Sequence, residues 1–253
     1  MNMHSGQALE YKHLEEVSST NDLLRAYAPT AGITVLSASY QTNGRGQMGN
    51  TWISDAGKNA LFSVLVCPSG LKAADGFVLS QAMALSIKEV LDGYLEGISI
   101  KWPNDIYCGD EKICGTLIEN VLMGKFVGRS VIGSGINVNQ TEFPEGLAAP
   151  ATSLRKYIKR TVHPADIIRS VVERFARYYE EVEAGSYGHI RERYHRHLYL
   201  LGVRYCFQDE AGVFTGAISH VEPDGHIIIM DEDGLPRRYA FKQVKLIRKE
   251  DKN

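Results

Sequence analysis

What is scarce in this 253-residue chain narrows its reading first. Cysteine is rare: Cys67, Cys108, Cys114 and Cys206 are the four, and no two make a CxxC pair. That density excludes a disulfide scaffold and points to free thiols in a reducing compartment, here the cytoplasm. Neither sign of charge is in excess, since 28 Lys+Arg stand against 30 Asp+Glu for a formal net charge of -2. No overall basic field draws in nucleic acid, so any anion site must be local. Long hydrophobic runs are missing as well. The apolar stretch around Leu61 to Cys67 is too short to span a bilayer, and Met1 to Glu10 lacks a basic segment followed by an apolar one. The expectation is a protein that is neither exported nor embedded in a membrane. The first core element falls near Tyr11, which leaves no room for a helix-turn-helix ahead of it, so DNA binding is not expected.

What is present is ordinary for a globular chain, with 44% hydrophobic and 23% charged residues, and the length suits one large core plus a small appendage. Ser19, followed three residues on by Asp22, has capping-box spacing and predicts a short helix that ends before Pro29. Ile33 to Tyr40 and Asn59 to Val66 read as strands, and Phe77 to Leu95 carries apolar residues at helical spacing. Ile98 to Lys101, Ile113 to Glu119 and Arg129 to Asn137 read as further strands, with Gly109-Asp110-Glu111 as a hairpin turn between two of them. Pro164 opens a long amphipathic helix through Glu183, and a shorter one runs from Tyr187 to about Leu200. Beyond Gly202 the texture changes to short strands at Arg204 to Gln208, Val213 to Val221, His226 to Met230 and Arg238 to Ile247, separated by turn residues. An α+β fold with a mixed sheet, flanking helices and a small C-terminal β-barrel follows, divided as residues 1–199 and 200–253.

Four segments have the composition of a site. Gln41 to Trp52 places Gly44, Gly46 and Gly49 around Arg45, so backbone N–H groups can approach an anion beside a guanidinium, with the Trp52 face nearby. A surface loop beside a core tryptophan has the same composition. No GK[ST] follows and the glycines open no helix, which excludes a Walker loop and a dinucleotide fingerprint. In Lys101-Trp102-Pro103-Asn104-Asp105 a lysine ends a strand just before a stiffening proline, where it serves either as a fixed charge or as a solvated side chain. Lys112 precedes Ile113-Cys114-Gly115-Thr116-Leu117-Ile118-Glu119, and Ile132-Gly133-Ser134-Gly135-Ile136-Asn137-Val138-Asn139 again breaks a strand with glycines. Such glycines mark either a bulge or a close approach by a ligand or another backbone.

The run KWPND, the GRG loop ending in GN and Trp52, the strand ICGTLIE and the segment GSGINVN occur in this order, and together they resemble the biotin protein ligase family from about Tyr11 to Ile247. The resemblance implies a catalytic sheet akin to class II aminoacyl-tRNA synthetases, followed by an SH3-like barrel. It implies that ATP activates biotin as its adenylate, with magnesium on the phosphates, and that a biotin carboxyl carrier domain then receives biotin on a lysine. By this resemblance Ser19, Thr20, Asn21 and Gln41 hold the biotin ring. Arg45, Gly46 and Gln47 close over the adenylate, with Gly44 in the same loop. Lys101 contacts the biotin carboxylate and the reacting phosphate. Trp52 stacks on adenine, Asn137 binds it, and Lys112 lies near the phosphates. Lys101 and Arg45 are the catalytic candidates, and no metal ligand is identified. Gln47 and Asn50 stand where many relatives carry further arginines, and the DNA-binding arm of the bacterial regulators is not expected. A lipoate–protein ligase and a non-catalytic biotin-binding module are the competing readings. A homodimer joined through an edge strand stays open.

Overall fold

The computed structural model describes residues 8–29, 32–147 and 149–247. The outer limits of the expected division, Met1 and Asn253, lie outside them. Strand β1 (Leu9–Val17) leads into helix α1 (Thr20–Ala26), whose N-cap Ser19 accepts from the Asp22 backbone N–H. Strands β2 (Ile33–Gln41) and β3 (Ala60–Val66) flank the glycine loop, which contains a short 3-10 turn, Gln47–Gly49. Helix α2 (Val78–Asp92) precedes β4 (Ile98–Lys101), β5 (Asp105–Cys108), β6 (Glu111–Met123) and β7 (Phe126–Ile136). Helices α3 (Leu154–Ile158), α4 (Pro164–Glu183) and α5 (Gly188–Arg196) complete this part.

The seven strands form one sheet in the order β1-β2-β3-β7-β6-β5-β4, in which only the β1–β2 pair is parallel, so the expected mixed sheet is present. The hairpin turn at Gly109 joins β5 to β6 and not β4 to β6 as the sequence suggested. The four residues of β5 are too few to show a period of their own beside KWPND. Successive side chains point to opposite faces of a strand, and the core records it. Val35, Val64 and Ile132 belong to the large cluster that α2 and α4 cover, while their neighbours Leu36, Leu65 and Val131 pack with Leu24 of α1 on the other face. Burying such side chains contributes roughly 1.5–3 kcal/mol each, so these clusters fix the register and with it the face on which every polar strand residue emerges.

That assignment places the site. Lys101 pairs with Asp105, Asp105 with Gly115, Gly115 with Gly135, and Gly135 with Leu61. One row of residues thus crosses five strands on one face, because directly opposed residues share a face. The next rows on that face carry Leu117, Gly133 and Ser63, then Glu119, Val131 and Leu65.

The C-terminal strands β8 (Arg204–Asp209), β9 (Gly212–Val221), β10 (Ile227–Asp231), β11 (Pro236–Tyr239) and β12 (Lys245–Leu246) form an antiparallel sheet ordered β11-β10-β9-β8-β12. The single strand expected over Arg238 to Ile247 is two strands, separated by a turn at Lys242 with φ 69°. The expected barrel is seen as a five-stranded sheet, and no closure is seen among the described residues. Phe207, Ile227 and Ile229 join the main core, and Trp102 Nε1 donates to the Gly225 carbonyl at 2.9 Å, so the two sheets share one apolar interior. Among the described residues no helix is long and apolar enough to cross a membrane.

Candidate active site

A cavity of about 850 Å³ opens on the glycine-bearing face of the seven-stranded sheet. Ser19, Thr20, Asn21, Gln41, Arg45, Gly46, Gln47, Trp52, Lys101 and Lys112 all line it, although they come from six separate stretches of chain. Gly44 and Asn137 are not among the lining residues.

At one end the first turn of α1 is held rigidly. Gln41 Oε1 accepts from the Thr20 backbone N–H at 2.8 Å and from its hydroxyl at 3.1 Å. Ser63 Oγ lies 2.7 Å from Thr20 Oγ1 and 2.6 Å from Asn21 Oδ1. Asn21 Nδ2 donates to Glu119 Oε2 at 3.1 Å. Ser19, Thr20 and Asn21 are buried, so their polar groups are oriented before any ligand arrives. Ser63 and Glu119 were missed from sequence. Ser63 had a signal, since it is the only polar residue in the strand ALFSVLV.

Arg45 leaves the glycine loop to donate to Asp22 Oδ1 at 2.6 Å and to Glu119 at 3.0 and 3.3 Å. Burial alone would lower its pKa, but the bonds to Glu119 and the charges of Glu119 and Asp22 carry it above the usual value, so the guanidinium stays charged. Gly44 lets the loop close on itself: Trp52 N–H donates to its carbonyl at 2.9 Å, and a Cβ there would fall 2.4 Å from the Trp52 carbonyl oxygen.

The Trp52 ring lies on the sheet where two glycines leave space. A Cβ on Gly135 would come within 2.4 Å of Trp52 Cε2, and one on Gly115 within 3.1 Å of Cζ3. Lys112 Nζ sits 5.9 Å from the ring centre and 2.7 Å from Asp105 Oδ1. Lys101 Nζ donates to the Tyr107 hydroxyl at 3.0 Å, 4.8 Å from the ring centre. Arg45, Lys101 and Lys112 therefore face one cavity, each held by named partners, and Lys242 and Lys245 of the C-terminal part also line it. Asn137 lies behind the wall, where its Nδ2 donates to the Thr152 carbonyl at 3.0 Å and its backbone carbonyl accepts from Leu154 N–H at 3.2 Å. It thereby ties down the segment that carries Pro150 and Ala151 into the cavity lining.

A buried polar pocket at a helix start, an aromatic wall and several cations on one cavity suit an ATP-dependent ligase that activates a carboxylate. The family model described as the biotin/lipoate A/B protein ligase family matches residues 14–137. The bifunctional ligase/repressor BirA of Bacillus subtilis is 27% identical over 242 residues, covering 93% of this chain and 73% of that protein. The biotin--[acetyl-CoA-carboxylase] ligase of Paracoccus denitrificans is 28% identical over 234 residues, covering 87% of this chain and 94% of that one. Among solved structures, the biotin protein ligase of Aquifex aeolicus in complex with biotin and ATP superposes with a TM-score of 0.78 at 28% identity, covering 94% of this chain and 99% of that one. Within that type, the family match, these relatives and this superposition support a biotin protein ligase.

Proposed function

We propose that this chain activates biotin with ATP and transfers it to a lysine of a biotin carboxyl carrier domain. In the first step a biotin carboxylate oxygen attacks the α-phosphorus of ATP. The bond to the β-phosphate oxygen breaks, which leaves biotinyl-5'-AMP and pyrophosphate. In the second step the carrier lysine attacks the acyl carbon, an amide forms, and AMP leaves with the bond electrons while the amine gives up a proton. The observation that carries this reading is the convergence of Arg45, Lys101 and Lys112 on one cavity. A carboxylate and a triphosphate repel each other, and fixed cations both neutralise and align them.

In this reading Ser19, Thr20, Asn21 and Gln41 take the biotin ring. Lys101 stands at the carboxylate and α-phosphate, and Lys112 at the phosphates. Trp52 supplies the adenine platform, and Asn137 acts from behind by fixing the wall. Arg45, Gly44, Gly46 and Gln47 belong to the loop that shields the anhydride from water. Magnesium commonly binds through one or two carboxylates plus substrate phosphates, and Asp105 is the carboxylate that lines the cavity among the described residues. Asp105 would hold the ion, whose charge would stabilise the leaving pyrophosphate. The division into a catalytic part, 1–199, and a C-terminal part, 200–253, belongs to the same proposal. The ligase that was solved with biotin and ATP supports it. To test it, the protein is incubated with ATP, magnesium and either biotin or lipoate, and the adenylate is sought by mass spectrometry. Biotinyl-5'-AMP is the expected product, and lipoyl-AMP alone would overturn the reading.

A further inference from the structure

Glu119 touches both halves of the cavity's machinery. Its Oε2 accepts from Asn21 Nδ2 at 3.1 Å, and its two oxygens accept from the Arg45 guanidinium at 3.0 and 3.3 Å. The side chain is 23% exposed, and Arg25 Nη1 stands 3.5 Å from Oε1. An asparagine amide is ambiguous as a ligand, because its two ends have the same size and opposite hydrogen-bonding character. Three neighbours of Asn21 settle which end goes where, and one is the Leu117 carbonyl, a longer acceptor for Nδ2 at 3.4 Å. An ionised carboxylate only accepts, so Glu119 takes the Nδ2 end, while the Ser63 hydroxyl lies 2.6 Å from Oδ1. Gly133 provides the room, since a Cβ there would fall 2.0 Å from Asn21 Oδ1. A carbonyl oxygen carries two lone pairs, so Oδ1 can still accept from a ligand N–H.

We propose that Glu119 is a positioning residue for the ligation, coupling the biotin pocket to the glycine loop. It turns Asn21 so that the acceptor oxygen meets a ureido N–H, and it holds Arg45 at the same time. This rests on the reading of the cavity as a biotinyl-adenylate site. Asp22 shares Arg45 at 2.6 Å, so the loop keeps one anchor when Glu119 is changed. The specific contribution of Glu119 is the link between that anchor and Asn21.

The test compares wild type with Glu119→Gln and Glu119→Asp in the full chain. Glutamine keeps the size but can donate as well as accept, so it no longer dictates the Asn21 orientation and leaves Nδ2 only the longer bond to the Leu117 carbonyl as a fixed acceptor. Aspartate remains an acceptor only. The readouts are the biotin Kd without ATP and the release rate of biotinyl-5'-AMP formed on the protein. Both refer to binding-competent molecules, so partial unfolding changes the stoichiometry and not the constants. For Glu119→Gln the biotin Kd is expected to rise about tenfold and release to quicken about tenfold, as for residues in one hydrogen-bonded network. Glu119→Asp is expected to bind biotin more tightly than the glutamine variant. The coupling is overturned by a change in only one readout, by wild-type behaviour of Glu119→Gln in both, or by an aspartate variant no better than glutamine. Wild-type protein that forms no biotinyl adenylate defeats the reading of the cavity itself, a different outcome from any of these.

Discussion

Asp105 Oδ1 and Lys112 Nζ stand 2.7 Å apart, an ion pair formed between neighbouring strands, with Nζ 5.9 Å from the centre of the Trp52 ring. Both side chains are partly buried, at 22% and 28% exposure, so the carboxylate fixes where the ammonium points. Asp105→Asn keeps the shape and removes that constraint together with the carboxylate that would hold magnesium. In the proposed reading Lys112 meets the phosphates, so the rate of pyrophosphate release is expected to fall about ten- to hundredfold with a smaller change in the KM for ATP, because misplacement of such a cation costs more in the transition state than in binding. A loss confined to KM would assign Asp105 to binding alone.

Lys101 is steered by the Tyr107 hydroxyl, to which its Nζ donates at 3.0 Å. Lys101→Ala is expected to lower kcat for adenylate formation about a hundred- to a thousandfold, the range for removing one preorganised charge-stabilising donor. Pyrophosphate release at saturating biotin and ATP measures it, and ordinary turnover would remove Lys101 from the chemistry.

Arg45→Gly severs the bonds from the glycine loop to Asp22 and Glu119. The adenylate should still form, since Lys101 and Lys112 remain, but it should leak into solution and hydrolyse. Filtration after a single turnover separates the free from the retained intermediate, and full retention by the variant would contradict a closing role for the loop.

Gly135→Ala tests the aromatic wall. The added methyl would lie 2.4 Å from Trp52 Cε2, so the ring must shift. ATP affinity is expected to weaken about tenfold, in keeping with the loss of an aromatic stacking contact, while biotin affinity changes less than about twofold. Equal losses for the two ligands would mean a general disturbance of the sheet.

His195 and His197 make stability depend on pH. Burial lowers the pKa of His195 from 6.5, the charges of His220 and Arg191 lower it further, and contact with the Val221 carbonyl at 2.9 Å opposes the shift without reversing it. Burial likewise lowers His197, assisted by Lys88 and Arg193 and opposed by Asp92 and Glu89. A depressed histidine pKa means that the unfolded chain binds more protons in the interval below 6.5, so stability falls as pH drops through it. Thermal melting from about pH 7.5 down to about pH 5 should show a falling Tm that is partly relieved by His195→Gln. A Tm independent of pH over that range would contradict the burial of both rings.

Much of this was legible in the chain. The 20-residue helix α4 begins at Pro164 and ends at Glu183 as the apolar stripe predicts, because that stripe is long and uninterrupted. Ser19 was readable as a cap for the same local reason. Strand β1 was sensed only as a core element near Tyr11: it is an edge strand with mostly exposed side chains, so little hydrophobic pattern marks it. The helix α3, five residues long, is likewise too short to show a period.

Residue types in this sequence determined the local chemistry: which lysines and arginines were available, where glycines admitted close approach, and which turn of helix could present polar groups. Tertiary structure decided their partners. Arg45 is held by Glu119, 74 residues away, and Asn21 by the same carboxylate, 98 residues away. Neither pairing leaves a local trace, because each depends on the antiparallel register that opposes Glu119 to Val131 and Gly115 to Gly135. That register is set by burial of the opposite face, so the apolar core beneath the sheet determines which charges meet above it.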